Sequence, residues 1–237
     1  MNKETEMRVG TGCVIVLLVV ALASGCATTA NIDPYEPQNR RVMGFNDGAD
    51  GISLKPLAKG YVKVTPRAGR NSVHNFFANL RYPNVVINQF LQGKVKKGAS
   101  DTGRFLINTT VGIGGLFDVA KRLGLVEHHE DFGQTLAVWG VASGPYLMVP
   151  FWGPVTVRDA VGDLLDTLTY PTFYIKDVAL RNGLIAGWAL DRRAAVLDAE
   201  SLISGDRYLF VRDAVLQHRE YLILDGEVTD PFLEEYE

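Results

Sequence analysis

Apolar residues in this chain fall in short phrases punctuated by Gly and Pro, and most of these phrases follow the helical period. The clearest runs from Thr65 to Leu80. Thr65 can cap, Pro66 suits the first helical position, and Val73, Phe76, Phe77 and Leu80 fall at i, i+3, i+4 and i+7, which puts one greasy face on the helix. A second helix is predicted after Pro83, through Val86, Ile87, Phe90 and Leu91, with Gly93 as the left-handed residue beyond its end. Thr102 to Thr110 and Leu116 to Leu123 follow, joined by a glycine hinge, GIGG, at 112–115, and stopped by Gly124. Thr156 with Asp159 makes a capping box in which Asp replaces Glu. It opens a helix with Val157, Val161, Leu164, Leu165 and Leu168 on one side and Asp159, Asp163 and Asp166 on the other. Two longer helices, roughly Leu184 to Leu202 and Asp206 to Leu224, complete the pattern, the last stopped by Gly226.

Strand signals are scarce. The best are Leu136 to Trp139 and Tyr146 to Phe151, separated by GVASGP and ended by WGP, so at most one small β-hairpin is expected. The fold class is mainly α, with helices too short and broken for a regular four-helix bundle.

The one long apolar run, Cys13 to Ala23, is eleven residues, about half of what a ~30 Å hydrocarbon core requires. Its length fits a secretory signal, with Ala23, Ser24 and Gly25 as the small residues before a cut, so residues 1–25 are expected to be removed. Met7 gives a cleaner positive start than Met1, because Lys3 is offset by Glu4 and Glu6. Small residues followed at once by Cys26 resemble a bacterial lipobox, with Leu22 one position earlier than usual; a signal with a chance cysteine after it is the alternative. Cys13 leaves with the signal, so Cys26 has no disulfide partner, and a thioether-linked lipid would keep it inert in an oxidising compartment. Three acyl chains exceed the two-signal minimum for stable anchoring. Ala27, in place of the aspartate of an inner-membrane retention signal, points to the outer membrane, facing the periplasm.

The remaining 212 residues allow one domain, expected over 35–226, between a lipidated tether at 26–34 and a short acidic tail at 227–237. Lys and Arg number 24 against 27 Asp and Glu, a net charge of −3 that removal of the signal leaves unchanged, and there is no basic block to attract nucleic acid. The Lys94, Lys96, Lys97 cluster reads either as a solvated turn or as a headgroup or partner contact.

Catalytic patterns do not assemble. Ser143 in GVASG lacks the glycine two positions earlier that a nucleophile elbow uses, and Ser72 in GRNSV is further off. GIGGLF has Phe117 where a dinucleotide fingerprint needs its third glycine. His128, His129, Glu130 and Asp131 are adjacent, without the i, i+4 spacing of a preformed metal site. The Asp159, Asp163, Asp166 series reads as a solvated or channel-facing stripe before it reads as paired catalytic carboxylates. Neither enzyme activity, cofactor nor metal is expected.

Five phrases resemble the MlaA family, also called VacJ: DPYEPQNRRVMGFND, LKPLAKGYVKVTPRAGRNSVHNFFANL, RFLINTTVGIGGLFDVA, DFGQTLAVWGVASGPYLMVPFWGPVTVRDAVGD and DRYLFVRDAVLQHREYL. They run in order from about Asp33 to Gly226. The resemblance implies short helices arranged as a ring within the periplasmic leaflet of the outer membrane, around a central amphipathic channel. Phospholipids astray in the outer leaflet would pass through it to a soluble periplasmic carrier, beside a trimeric porin, keeping the membrane asymmetric; a non-conducting adaptor is the alternative. A ring in one leaflet would account for 47% hydrophobic residues without a membrane span. YLMVPFW then lies in the acyl region or is an ordinary core segment. Gly114, Gly115, Gly140 and Gly144 are expected to hold positive φ or close approaches along the lipid path. By the same resemblance Phe45 and Asn46 lie where the first helix turns beside the channel mouth, as a gate or, alternatively, as a buried Phe with an Asn capping a turn before Gly48. The short tail and the charged EHHED approach to FGQTL depart from the family pattern.

Overall fold

The computed structural model describes residues 31–227; Cys26, the signal and most of the tether and tail lie outside them. Nine α-helices are described: α1 Glu36–Ile52, α2 Leu54–Val64, α3 Arg67–Leu91, α4 Val95–Thr110, α5 Val119–Arg122, α6 Phe132–Val138, α7 Val157–Thr167, α8 Val178–Ala195 and α9 Arg207–Ile223. A two-stranded antiparallel sheet, β1 Tyr146–Val149 with β2 Gly153–Thr156, precedes α7. The side chains of Asp118, Asp131, Thr156, Asp177 and Asp206 each accept a backbone N–H from the helix they open, which is why those starts are sharp.

Three expectations are corrected. Pro83 does not divide two helices: α3 runs through it, because hydrogen bonds hold the second half in line. Thr169 donates to Asn84 at 2.6 Å, Thr135 to Asn88 at 2.6 Å, and Gln89 to Asp101 at 3.0 Å. Leu136–Trp139 is not a strand; Asp131 caps α6, and the partner of Tyr146–Val149 is the GPVT segment that had read as the hairpin's end. The 184–202 helix starts earlier, at Val178 behind Asp177, and ends at Ala195.

The packing inverts the usual polarity. Among the described residues, seventeen polar or charged side chains are buried against ten apolar ones, whereas every α-helix except α5 carries large apolar side chains in the open. On α3 the buried face is Asn79, Tyr82, Asn84, Asn88 and Gln89, while Ile87, Phe90 and Leu91 are exposed. On α7, Asp159 and Asp166 are buried, so they are not a solvated stripe, and Leu164 and Leu168 face out. No described helix is long and apolar enough to cross a membrane.

Contacts run from α1 to α2, then to α8, α3, α6, α7, β2 and β1, and back to α1, closing a circuit. At α6 against α7 the closure is tight: a side chain on Gly162 would meet the backbone of Gly133, 2.6 Å from its Cα. Arg104, which is buried, ties α3, α4 and the loop before α5 by donating to Tyr82 at 2.7 Å and Asp118 at 3.0 Å.

Candidate functional site

Helix α1 lies along the free edge of β1 and fastens to it through two asparagines seven residues apart, and therefore on one face. Asn39 accepts the Met148 N–H at 2.9 Å and donates to the Tyr146 carbonyl at 3.1 Å. Asn46 accepts the Phe151 N–H at 2.8 Å and donates to the Val149 carbonyl at 3.0 Å. Each side-chain amide stands in for the missing neighbouring strand.

The second amide holds a strained turn. Trp152 N–H reaches the Val149 carbonyl, Pro150 takes the second position and Phe151 the third, at φ 62°, a conformation that favours glycine. Phe151 is 81% exposed and rests edge-on against Phe45, ring centres 5.1 Å apart. Arg41, Val42, Phe45, Pro150 and Phe151 line an open recess of about 370 Å³ with almost wholly apolar walls. Phe45 and Asn46 thus sit in the middle of α1, not where that helix turns, and the turn that Asn46 serves belongs to the hairpin. Phe45 is half-exposed, which also rules out the buried reading.

The glycines separate into two kinds. Gly114, Gly115, Gly140 and Gly144 all have positive φ. Gly115 also approaches Asn79, whose Cγ would lie 2.7 Å from an added Cβ, and Gly144 approaches Val157 at 3.0 Å; Gly114 and Gly140 face open space. Beside them Ile113 is exposed at φ 54°, a second apolar residue in a costly conformation.

The interior is charged. Arg219 from α9 donates to Asp131 at 2.6 and 2.7 Å and to Asp159 at 2.9 Å, beneath the Gly133–Gly162 contact. Burial pushes the Asp131 carboxyl up, but the Arg219 hydrogen bonds and charge outweigh it and hold it below the usual range. Asp166 accepts the Phe132 N–H at 3.0 Å, yet burial, with Asp131 nearby, pushes its pKa up to about 6. Asp163, half-buried, is raised by burial first and by Asp131 second.

Other charges that stood out in the sequence are internally engaged. Lys94 binds Glu130 at 3.1 Å and Asp225 at 2.7 Å, and Lys97 binds Asp225 at 3.1 Å, so the cluster fastens the end of α9, with Lys96 left exposed. His128 is held by Asp101 at 3.0 Å, and His129 is exposed. Asn39 as partner of Asn46, and the Gly133–Gly162 contact, were not anticipated. The seven-residue spacing was a visible signal for the first; for the second, nothing local distinguishes a glycine that touches another backbone from one that frees a turn.

A family model described as MlaA lipoprotein matches residues 31–222. The intermembrane phospholipid transport system lipoprotein MlaA of Shigella flexneri is 36% identical over 219 residues, 90% of this chain and 86% of that protein. Its counterpart of the same name in Escherichia coli (strain K12) matches with the same identity and coverage. A solved structure described as the structural basis for maintenance of bacterial outer membrane lipid asymmetry superposes with a TM-score of 0.71 at 36% identity, covering 81% of this chain and 98% of that one.

Proposed function

Because this chain belongs to the MlaA lipoprotein family, we propose that it is the lipoprotein of an intermembrane phospholipid transport system, removing phospholipids astray in the outer leaflet of the outer membrane and so maintaining lipid asymmetry. The observation that carries this reading is the inverted polarity. A chain that turns Phe90, Leu164, Phe151 and Trp152 outward and encloses Asp159, Asp166, Arg158 and Gln89 suits acyl chains outside and headgroups inside. The closed circuit of elements forms the ring, in the periplasmic leaflet, and its enclosed polar side chains line the channel. Helices satisfy their own backbone in such surroundings, and the irregular segments are pinned by side-chain amides.

Cys26 carries the lipid anchor. Phe45 and Asn46, with Phe151, form a gate at the channel mouth, the rings in the acyl zone and the amide fixing the turn that presents them. Gly114, Gly115, Gly140 and Gly144 shape the path. A trimeric porin sits beside the ring and a periplasmic carrier takes the lipid onward. The work is transfer of an intact lipid, without a chemical step.

In cells lacking this protein, outer-leaflet phospholipid should rise and fall back when the wild-type gene is restored. Deleting Phe45 and Asn46 should raise it even beside an intact copy. A deletion strain with normal outer-leaflet composition contradicts the transport reading, and a recessive Phe45–Asn46 phenotype with degraded protein contradicts the gate.

A further inference from the structure

Arg81 on α3 and Arg192 on α8 converge on one indole. The guanidinium carbons lie 5.8 and 5.4 Å from the Trp188 ring centre, and Trp188 and Arg192, four residues apart, share a helix face. Arg81 also lies 5.4 Å over the Tyr170 ring and donates to its hydroxyl at 3.0 Å, while its Nε is buried with no acceptor. Among the described residues neither arginine has a carboxylate within ion-pair distance, although seven other arginines do: Arg40, Arg104, Arg158, Arg193, Arg207, Arg212 and Arg219. The two charges also feel each other: burial first and Arg81 second hold the Arg192 pKa below its usual value. Like charges held together in partly desolvated surroundings are unfavourable until an anion enters, and paired guanidiniums match the oxygens of a phosphate.

Asp163 on α7 is the acid within electrostatic reach of Arg192. Its carboxylate has no hydrogen bond or ion pair among the described residues and feels Arg219 first and Arg192 less, with Asp131 and Asp159 opposing them, but it lies beyond 4.0 Å from any cationic nitrogen. The other acids of that region are occupied: Asp159 and Asp131 by Arg219, Asp191 by His74, and Asp166 by the Phe132 N–H. Two cations without an ion pair, one carboxylate without a partner and two aromatic faces are thus left in one neighbourhood.

We infer that Arg81, Arg192 and Asp163, grouped around Trp188 and Tyr170, form a subsite that reads a zwitterionic phospholipid headgroup, the guanidiniums taking its phosphate and the carboxylate its ammonium. The inference rests on the transport reading and gives it a substrate preference. An ethanolamine headgroup carries its two charges a short linker apart, so one molecule can answer both sides, and the ring faces favour an ammonium as well. A glycerol headgroup would satisfy the arginines alone.

The test titrates the purified full-length protein in detergent with dihexanoyl-phosphatidylethanolamine, dihexanoyl-phosphatidylglycerol and inorganic phosphate. Arg192→Gln removes a solvent-accessible cation that has no ion pair and whose described contact is the Trp188 ring face, and should weaken both lipids roughly tenfold or more. Arg81→Gln should do the same, with its fold checked because Tyr170 loses a donor. Asp163→Asn should weaken the ethanolamine lipid severalfold and leave the glycerol lipid unchanged or tighter. Equal binding of both lipids by wild type and Arg192→Gln overturns the subsite, as does Asp163→Asn weakening both alike. Inorganic phosphate that binds as tightly as the lipids and displaces them would mean a free-phosphate site. Complementation separates this from the wider reading: wild type that restores the outer leaflet, with lipid binding indifferent to Arg192, sinks only the subsite. Wild type that fails to restore it sinks transport.

Discussion

At the 149–153 turn, Phe151 stands 81% exposed at a positive φ, braced by Phe45 and with its N–H held by the Asn46 amide. At the junction of α6, α7 and α9, Asp131, Asp159 and Arg219 are enclosed over a glycine–glycine contact, with each charge answered. An ordinary water-soluble domain would exchange these materials, with aromatics inside and the ion cluster outside. Hydrogen bonds and ion pairs hold the interior, and large apolar side chains are left on the outside.

The largest expected effect comes from breaking the enclosed side of this contrast. Arg219→Met removes the cation paired with Asp131 and leaves Asp159 with Arg158 alone, and should destabilise the protein by about 3 kcal/mol in denaturant titration. A loss below about 1 kcal/mol would mean that the cluster is hydrated. Asp166 should give a smaller effect of opposite sign. Its folded pKa, about 6, lies above its unfolded value, so the folded state prefers the protonated form, and the stability it contributes is present at low pH and lost as pH rises through about 6. Asp166→Asn should therefore stabilise by up to about 2 kcal/mol near pH 8, with the advantage shrinking towards pH 4. A difference independent of pH would contradict the burial argument.

On the exposed side the energies are smaller. Asn46→Ala removes both hydrogen bonds to the turn and should cost about 1–2 kcal/mol, with faster amide exchange at Phe151 as the local readout. Phe151→Gly relieves a conformation costing roughly 1–2 kcal/mol while losing a ring contact of about 0.5–1.5 kcal/mol, so thermal stability should hardly change. Lipid transfer, not folding, should then report the loss of that ring.

Helix class and several boundaries were legible in the chain because caps are local: Thr156 and Asp206 announce α7 and α9 in a few residues. What was not legible is which face turns inward. The Val73, Phe76, Phe77, Leu80 stripe reads as a packing face, yet on α3 only Phe77 of these is buried, beside Asn79, Asn84 and Asn88. Periodicity gives the existence of two faces, and the assignment of the apolar one to a core assumes water outside. The hairpin partner was missed for a related reason. Gly153 and Pro154 look like strand breakers, but with α1 holding the outer edge of β1, β2 needs to pair on one side only. Arg81 is more than a hundred residues from Trp188 and Arg192, and only the fold brings it to them.

The inverted polarity is tested most directly by asking which tryptophans see acyl chains. Single-tryptophan forms keeping either Trp152, at the exposed hairpin tip, or Trp188, beside the two arginines, would be placed in bilayers whose lipids carry bromine along the tails. Strong quenching of Trp152 with little quenching of Trp188 is expected; equal quenching, or Trp188 quenched more than Trp152, would contradict an apolar exterior around a polar path.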